Sequence, residues 1–470
     1  MSTFLTLRKK HPKFIYKKYD WTISDQGLEI SFDFLLEPDI IFRPNILIEK
    51  VSREQTEKIG DESLNNLIFN LGLIEMASYW KAACSPEIVI EAGTLSLRQR
   101  KWWEWLILNG LGQFFYENKI DFTKPGLFKI TSPKNSEGDA IKNAGTFPNQ
   151  DDKTMLPIGG GKDSAVTLEI FKRSGKKMVC FALNPSKDSR AVMAAAGCDN
   201  FIAVKRTIDK KLLKLNRQGY LNGHTPFSAY LAFLTTLTAA LFDCRYIAVS
   251  NERSSNEATL DYLGKKINHQ WSKTFSFEER FQTYSKKYLN KGILYFSFLR
   301  PFYELQIAKI FSGFKKYFNS FLSCNEAYKI YSGQKTPAGQ WCCNCSKCLF
   351  AFIILYPFLG KEKMTGIFGQ DLFANADLLE TVKELTGEKP SKPLECVGER
   401  KESLAAFYLS LIKAKEGSEK KMPVLLEYFE RKIMPKHKNL ARQAKKILSS
   451  WNKKNSLPEE FEKILLRKKA

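Results

Sequence analysis

The sequence predicts an α/β protein: a parallel-sheet domain with an N-terminal α+β region, a four-cysteine module and a helical C-terminal tail. Three observations carry that expectation. Leu156-Pro157-Ile158 turns through Gly159-Gly160-Gly161 into Lys162-Asp163-Ser164, and the apolar spacing from Ala165 to Phe171 suits a helix packed on a sheet. Beyond it, short apolar runs alternate with helical patterns, as parallel strands joined by crossover helices require. The run Cys342-Cys343-Asn344-Cys345-Ser346-Lys347-Cys348 then marks a separate module.

From the start to about Lys50, Leu28, Ile30, Phe32 and Phe34 alternate with polar residues, which predicts a small antiparallel sheet. Helical stretches follow at Asp61 to Cys84 and Leu97 to Asn118. Trp102, Trp103 and Trp105 on the second read as core rather than as a base-stacking platform. The expected organisation is an N-terminal region at 1–131, a linker at 132–153, a nucleotide domain at 154–322, a cysteine module at 323–360 and a largely helical region with a basic tail at 361–470. Within the third unit, Met178 to Leu183, Phe201 to Val204 and Tyr246 to Val249 read as strands. Thr225 and Pro226 suit a helix start.

At 470 residues, with 44% hydrophobic and 13% aromatic residues, the chain is a folded protein and not a disordered one. Its 73 Lys and Arg against 50 Asp and Glu, a balance of +23, favour an anionic partner without choosing among nucleotide, nucleic acid and acidic metabolite. The basic tail from Arg431 onward reads as a solvated helical face, with anion binding as the alternative. Arg8, Lys9, Lys10 and Lys13 interrupt any export signal. The apolar stretch from Ala229 to Phe242 falls short of the roughly 20 residues that span a bilayer. Ten cysteines, several clustered, point to metal binding or free thiols in a reducing compartment, so a cytoplasmic location is expected.

The glycine turn is built to hold an anion, because free N–H groups and the positive end of a helix dipole converge there and glycines admit phosphate oxygens to the main chain. It is not a Walker A loop, since Leu156 and Asp163 occupy the positions where that motif needs glycine and Ser or Thr. Ser250-Asn251-Glu252-Arg253 ends a predicted strand and should face the same crevice, because open α/β sheets bind ligands at strand carboxyl ends. His269, in Asn268-His269-Gln270-Trp271-Ser272-Lys273, is a candidate acid or base. Arg300, ahead of a helix, is a candidate for pairing with a phosphate or carboxylate. Cys342, Cys345 and Cys348 have C-x2-C-x2-C spacing, and Cys324 is the best fourth ligand for a closed, structural Zn²⁺ site; an iron–sulfur cluster would accept the same ligands.

The glycine loop resembles the PP-loop of ATP pyrophosphatases, Ser-Gly-Gly-x-Asp-Ser, with Gly159 where serine is usual. The ordered set is more specific: Gly159 to Ser164, Leu215 to Pro226, Ser250 to Ser254, Asn268 to Lys273, Ser323-Cys324-Asn325, Trp341 to Cys348 and Glu395-Cys396-Val397-Gly398. Together these resemble the MurL family, ATP-dependent epimerases of UDP-N-acetylmuramoyl-L-alanyl-L-glutamate. The resemblance implies carboxylate adenylation, proton exchange at Cα and release of AMP and pyrophosphate. It implies that Gly159, Gly160, Gly161, Lys162 and Ser164 hold the ATP phosphates and that Asp163 helps to place Mg²⁺ or the phosphate chain. His269, Glu252 and Cys396 are then the proton-transfer candidates, and Asn251, Arg253, Lys273 and Arg300 the substrate-binding ones. The competing readings are a PP-loop tRNA- or nucleoside-modifying enzyme, favoured by the basic tail but lacking an obvious RNA-binding module, and a non-catalytic nucleotide-binding adaptor.

Overall fold

Alternating burial builds the first strands. In β2 (Gly27–Leu36), which follows β1 (Lys13–Ser24), Leu28, Ile30, Phe32, Phe34 and Leu36 are buried while Glu29 is exposed. Then come β3 (Ile40–Phe42), β4 (Asn45–Glu49), β5 (Glu87–Ile90), β6 (Lys129–Thr131), β7 (Asp151–Pro157), β8 (Met178–Leu183), β9 (Ile202–Thr207), β10 (Cys244–Glu252), the hairpin β11 (Leu260–Tyr262) and β12 (Lys265–Ile267), and β13 (Leu294–Leu299). The structure, a computed structural model, describes residues 3–132, 151–328, 341–417 and 421–469. The segment read as a linker lies outside these residues except for Ser132 and the start of β7.

Eleven strands form one sheet in the order β13-β10-β7-β8-β9-β4-β2-β1-β5-β6, with β3 on β2. Strands β13, β10, β7, β8 and β9 run parallel. The antiparallel strands expected as a small sheet of their own instead extend this one: β4 pairs with β9, Ile46 opposite Arg206 and Ile48 opposite Val204. That pairing covers backbone groups β9 would otherwise leave open at a sheet edge.

Adjacent residues of the central strands feed opposite cores. Met155 and Ile247 join the N-terminal region's core; Leu156 and Ala248 join the core built with the C-terminal helices. The chain adds β8 and β9 on one side of β7, then returns to place β10 and β13 on the other. The strand order therefore reverses between β7 and β10, where open sheets form their binding crevice.

The tryptophan stripe is core: Trp103 is fully buried and stacks on Phe233, and Trp102 stacks on Tyr284. The uncharged stretch is a buried helix, Phe227–Leu241. Thr225 does not cap it: Pro226 occupies the N-cap position, and the Thr225 hydroxyl accepts a hydrogen bond from Lys81 Nζ. The basic tail is anchored by its apolar residues, with Phe461 packed on Phe171 and Tyr246. Cys180 and Cys198 are joined as a disulfide, an exception to the expectation of thiols and metal ligands. Among the described residues, no helix is long and apolar enough to cross a membrane.

Candidate active site

A cavity of about 460 Å³ opens at the carboxyl ends of β7 and β10. Its floor is the glycine turn. Gly161 precedes the helix Lys162–Ser174 and, among the described residues, no side chain caps that helix, so its first N–H groups remain for a ligand. Gly160 has φ +89°, and a Cβ there would lie 2.9 Å from Ser189 N. A Cβ on Gly161 would lie 2.7 Å from Ser323 Oγ, whereas Gly159 faces open space. Gly159, Gly161, Asp163 and Ser164 line the cavity, and Gly160 O accepts a hydrogen bond from Leu322 N.

Lys162 is buried below the turn, its ammonium paired with Asp163 and Glu304. Glu252, 1% exposed, brings a carboxylate oxygen into the same group: one ligand atom each from Asp163, Glu252 and Glu304 lie within 4.8 Å of one another. Asn251 lines the cavity and donates to Ser297 Oγ at 3.2 Å.

Across the cavity stand Cys396, His269 and Lys273. Burial would raise the Cys396 thiol, but the Lys273 charge and a hydrogen bond with His269 outweigh it and bring the thiol down to about 5. Lys273 Nζ lies 3.6 Å from the sulfur; although burial disfavours its charge, Cys396 and Glu252 hold it above its ordinary value. The other face of His269 is fixed by Gln113. Gln113 donates from Nε2 to Glu117 Oε1 at 2.8 Å, so its Oε1 accepts from His269 Nδ1, 2.6 Å away. His269 Nε2 is thereby left for proton exchange. His224 packs its ring 4.7 Å from that of His269; burial, then the His269 and Lys81 charges, push its pKa down to about 3.

The four cysteine sulfurs of Cys324, Cys342, Cys345 and Cys348 also lie within 4.8 Å of one another, with Cys342 and Cys348 3.6 Å apart. A tetrahedral Zn²⁺ with sulfurs at about 2.3 Å needs them about 3.8 Å apart, so the group fits. Cys343 turns away and donates to Phe368 O. The cluster is tied to the cavity twice. Leu322 and Ser323, beside Cys324, touch the glycine turn. Lys347, between Cys345 and Cys348, lines the cavity and donates from its backbone N–H to Glu395 Oε2 and from Nζ to Cys396 O. The Cys396 loop is further held by Gln270 Nε2 on Val397 O, and by Gly398, where a Cβ would lie 2.6 Å from the Phe350 ring.

Two expected substrate contacts sit elsewhere. Arg300 is fully buried beneath the site, its guanidinium donating to Glu252 O, Lys273 O, Ser255, Ser297 and Glu278. A cation ahead of a helix reads the same in sequence whether it faces solvent or core; here it braces the strand ends. Arg253 lies over the Tyr303 ring and is not among the residues lining the cavity. Sequence reasoning missed Gln113, Glu117, Glu304 and Lys347. Lys347 carried a signal, being enclosed by metal-spaced cysteines; Glu304, acidic in the first turn of the helix Glu304–Phe311, carried a weak one. Gln113 and Glu117 carried none.

The model of the MurL N-terminal domain matches residues 6–298, and that of the MurL C-terminal domain matches residues 320–444. The UDP-N-acetyl-alpha-D-muramoyl-L-alanyl-L-glutamate epimerase of Micromonospora sp. is 34% identical over 347 residues, 74% of this chain and 75% of the relative. The enzymes of the same name from Salinispora tropica and Xanthomonas oryzae pv. oryzae are 33% and 32% identical, covering 76% and 78% of this chain and 75% and 78% of their own lengths. With both domain models matched in order and the cavity built from residues of each, the chain belongs to the MurL family.

Proposed function

We propose that the protein is an ATP- and Mg²⁺-dependent epimerase that converts the terminal L-glutamate of UDP-N-acetylmuramoyl-L-alanyl-L-glutamate to D-glutamate, a step of peptidoglycan precursor synthesis. The observation that supports it most is the pairing, in one cavity, of an uncapped glycine turn with a thiol lowered to about 5 beside an imidazole. A nucleotide-binding adaptor has no use for the second element.

In this reading the glycine turn, Lys162 and Ser164 bind the ATP phosphates, and Asp163 helps to hold Mg²⁺, which would offset phosphate charge. A substrate carboxylate oxygen attacks the α-phosphorus, the α–β phosphate bond breaks and pyrophosphate leaves. The acyl-adenylate has lost the carboxylate's negative charge, so its α-hydrogen is more acidic and the carbonyl can take up the enolate charge. The Cys396 thiolate removes that proton from one face, and His269, oriented by Gln113, supplies one to the opposite face of Cα, as inversion requires. Water then releases the D-glutamyl product and AMP. Lys273 keeps the thiol ionised, and its charge at the cavity wall would attract a substrate carboxylate. The four cysteines would hold a closed Zn²⁺ that braces both sides of the cavity. ATP and a nucleotide-linked sugar are cytoplasmic metabolites, which fits the expected location.

The test is pyrophosphate release from ATP by purified protein with the sugar-nucleotide dipeptide or with tRNA. Release that depends on the dipeptide supports the epimerase; release that depends on tRNA supports the RNA-modifying alternative.

A further inference from the structure

We propose that Asp163, Glu252 and Glu304 form a divalent-cation site for which the Lys162 ammonium competes, the incoming ion displacing the ammonium toward the nucleotide's phosphates. The inference rests on the phosphate-binding role of the glycine turn and deepens it.

The argument is one of charge and orphaned atoms. Three carboxylates converge within 4.8 Å, and two of them are almost wholly buried, Glu252 at 1% and Glu304 at 2% exposure. Buried charges need partners. Among the described residues the ammonium in direct contact with the group is that of Lys162, which pairs with Asp163 and Glu304, while Lys273 and Lys347 line the cavity beside it. Those pairs do not include Glu252: its Oε1 is buried and, among the described residues, has no hydrogen-bond partner. Direct ion pairing therefore reaches Asp163 and Glu304 but leaves that Glu252 oxygen out. A divalent ion bound by carboxylate oxygens would give Glu252 Oε1 a partner. Asp163 opens the group to the cavity, its side chain 26% exposed while that of Lys162 is 5% exposed.

An ion seated on these carboxylates would meet the Lys162 ammonium at contact distance, with Lys273 and Lys347 already lining the cavity beside them, and like charges that close repel strongly. The divalent ion therefore gains the carboxylates as the ammonium leaves them. Lys162 begins the helix that opens at the glycine turn, so its released ammonium can meet the anion that the turn binds. Metal and nucleotide then bind with positive coupling, each favouring the arrangement the other needs.

Mn²⁺ binding to the full chain, read by electron paramagnetic resonance with and without a non-hydrolysable ATP analogue, tests this. Lys162→Met is expected to bind Mn²⁺ at least tenfold tighter than wild type without nucleotide and to lose most of the coupling to it. Should burial of unpaired carboxylates prevent that variant from folding, the pair Glu304→Gln and Lys162→Met/Glu304→Gln gives the same comparison. The double variant loses one charge of each sign and is expected to bind Mn²⁺ at least tenfold tighter than Glu304→Gln alone. Equal or weaker Mn²⁺ binding on removal of the lysine overturns the competition. No sugar nucleotide enters these titrations, so they stand or fall separately from the epimerase reading.

Discussion

Gln113 Oε1 lies 2.6 Å from His269 Nδ1, a contact between residues 156 apart in sequence that fixes which imidazole nitrogen faces Cys396. Gln113→Leu leaves the ring without that anchor. Exchange at Cα is expected to fall by roughly tenfold or more, part of the ~10²–10⁴ that general acid–base catalysis supplies. Adenylation does not use the imidazole, so pyrophosphate release in single-turnover experiments is expected to change little. Equal losses in both steps would place Gln113 in folding rather than in proton transfer.

Cys396 has its thiol at about 5, against about 8.5 for an unperturbed cysteine. The thiolate is therefore the resident form above that value, and iodoacetamide labelling of Cys396, read by mass spectrometry, should be flat near neutrality and decline as pH drops through about 5. Native-state stability from the ionised thiol is complete above the unfolded value and is lost as pH falls toward the folded one. Lys273→Met removes the largest cause of the lowering, so the labelling midpoint should move up by about a unit or more. Cys396→Ser should reduce Cα exchange by roughly 10²-fold or more.

Adjacent glycines of the turn should answer differently to substitution. Gly159→Ser meets open space and restores the hydroxyl usual in this loop, so ATP affinity should hold or rise. Gly160→Ala forces a Cβ onto φ +89° and against Ser189 N, and ATP affinity is expected to fall at least tenfold, about 1.4 kcal/mol. Isothermal titration with the ATP analogue measures both.

The four-cysteine cluster touches the glycine turn through Leu322 and Ser323 and the Cys396 loop through Lys347. Elemental analysis is expected to give one zinc per chain. Cys345→Ser should remove it and lower both ATP affinity and Cα exchange. Lys347→Met keeps the ligands, so zinc content should be unchanged while exchange falls.

Local sequence disclosed where the chemistry-bearing segments would gather. The glycines followed by Lys-Asp-Ser form the floor of the cavity, and the C-x2-C-x2-C spacing brings together sulfurs that could hold a metal beside it. Residues supplied by tertiary contact were hidden. Glu304 reaches Lys162 across 142 positions, and Gln113 comes from a helix whose pattern reads only as amphipathic. The union of the N-terminal strands with the parallel sheet depends on the β4–β9 register, and alternation within β4 says nothing about which edge it will meet.

The central claim is that one cavity adenylates a carboxylate and exchanges the proton beside it. Its most direct test is a reaction of the protein with UDP-N-acetylmuramoyl-L-alanyl-L-glutamate, ATP and Mg²⁺ in D₂O, following pyrophosphate, glutamate chirality and deuterium at Cα. The account predicts pyrophosphate together with D-glutamate carrying deuterium at Cα, both abolished in Asp163→Ala. Failure to release pyrophosphate or exchange the Cα hydrogen, under conditions where ATP is bound, would contradict it.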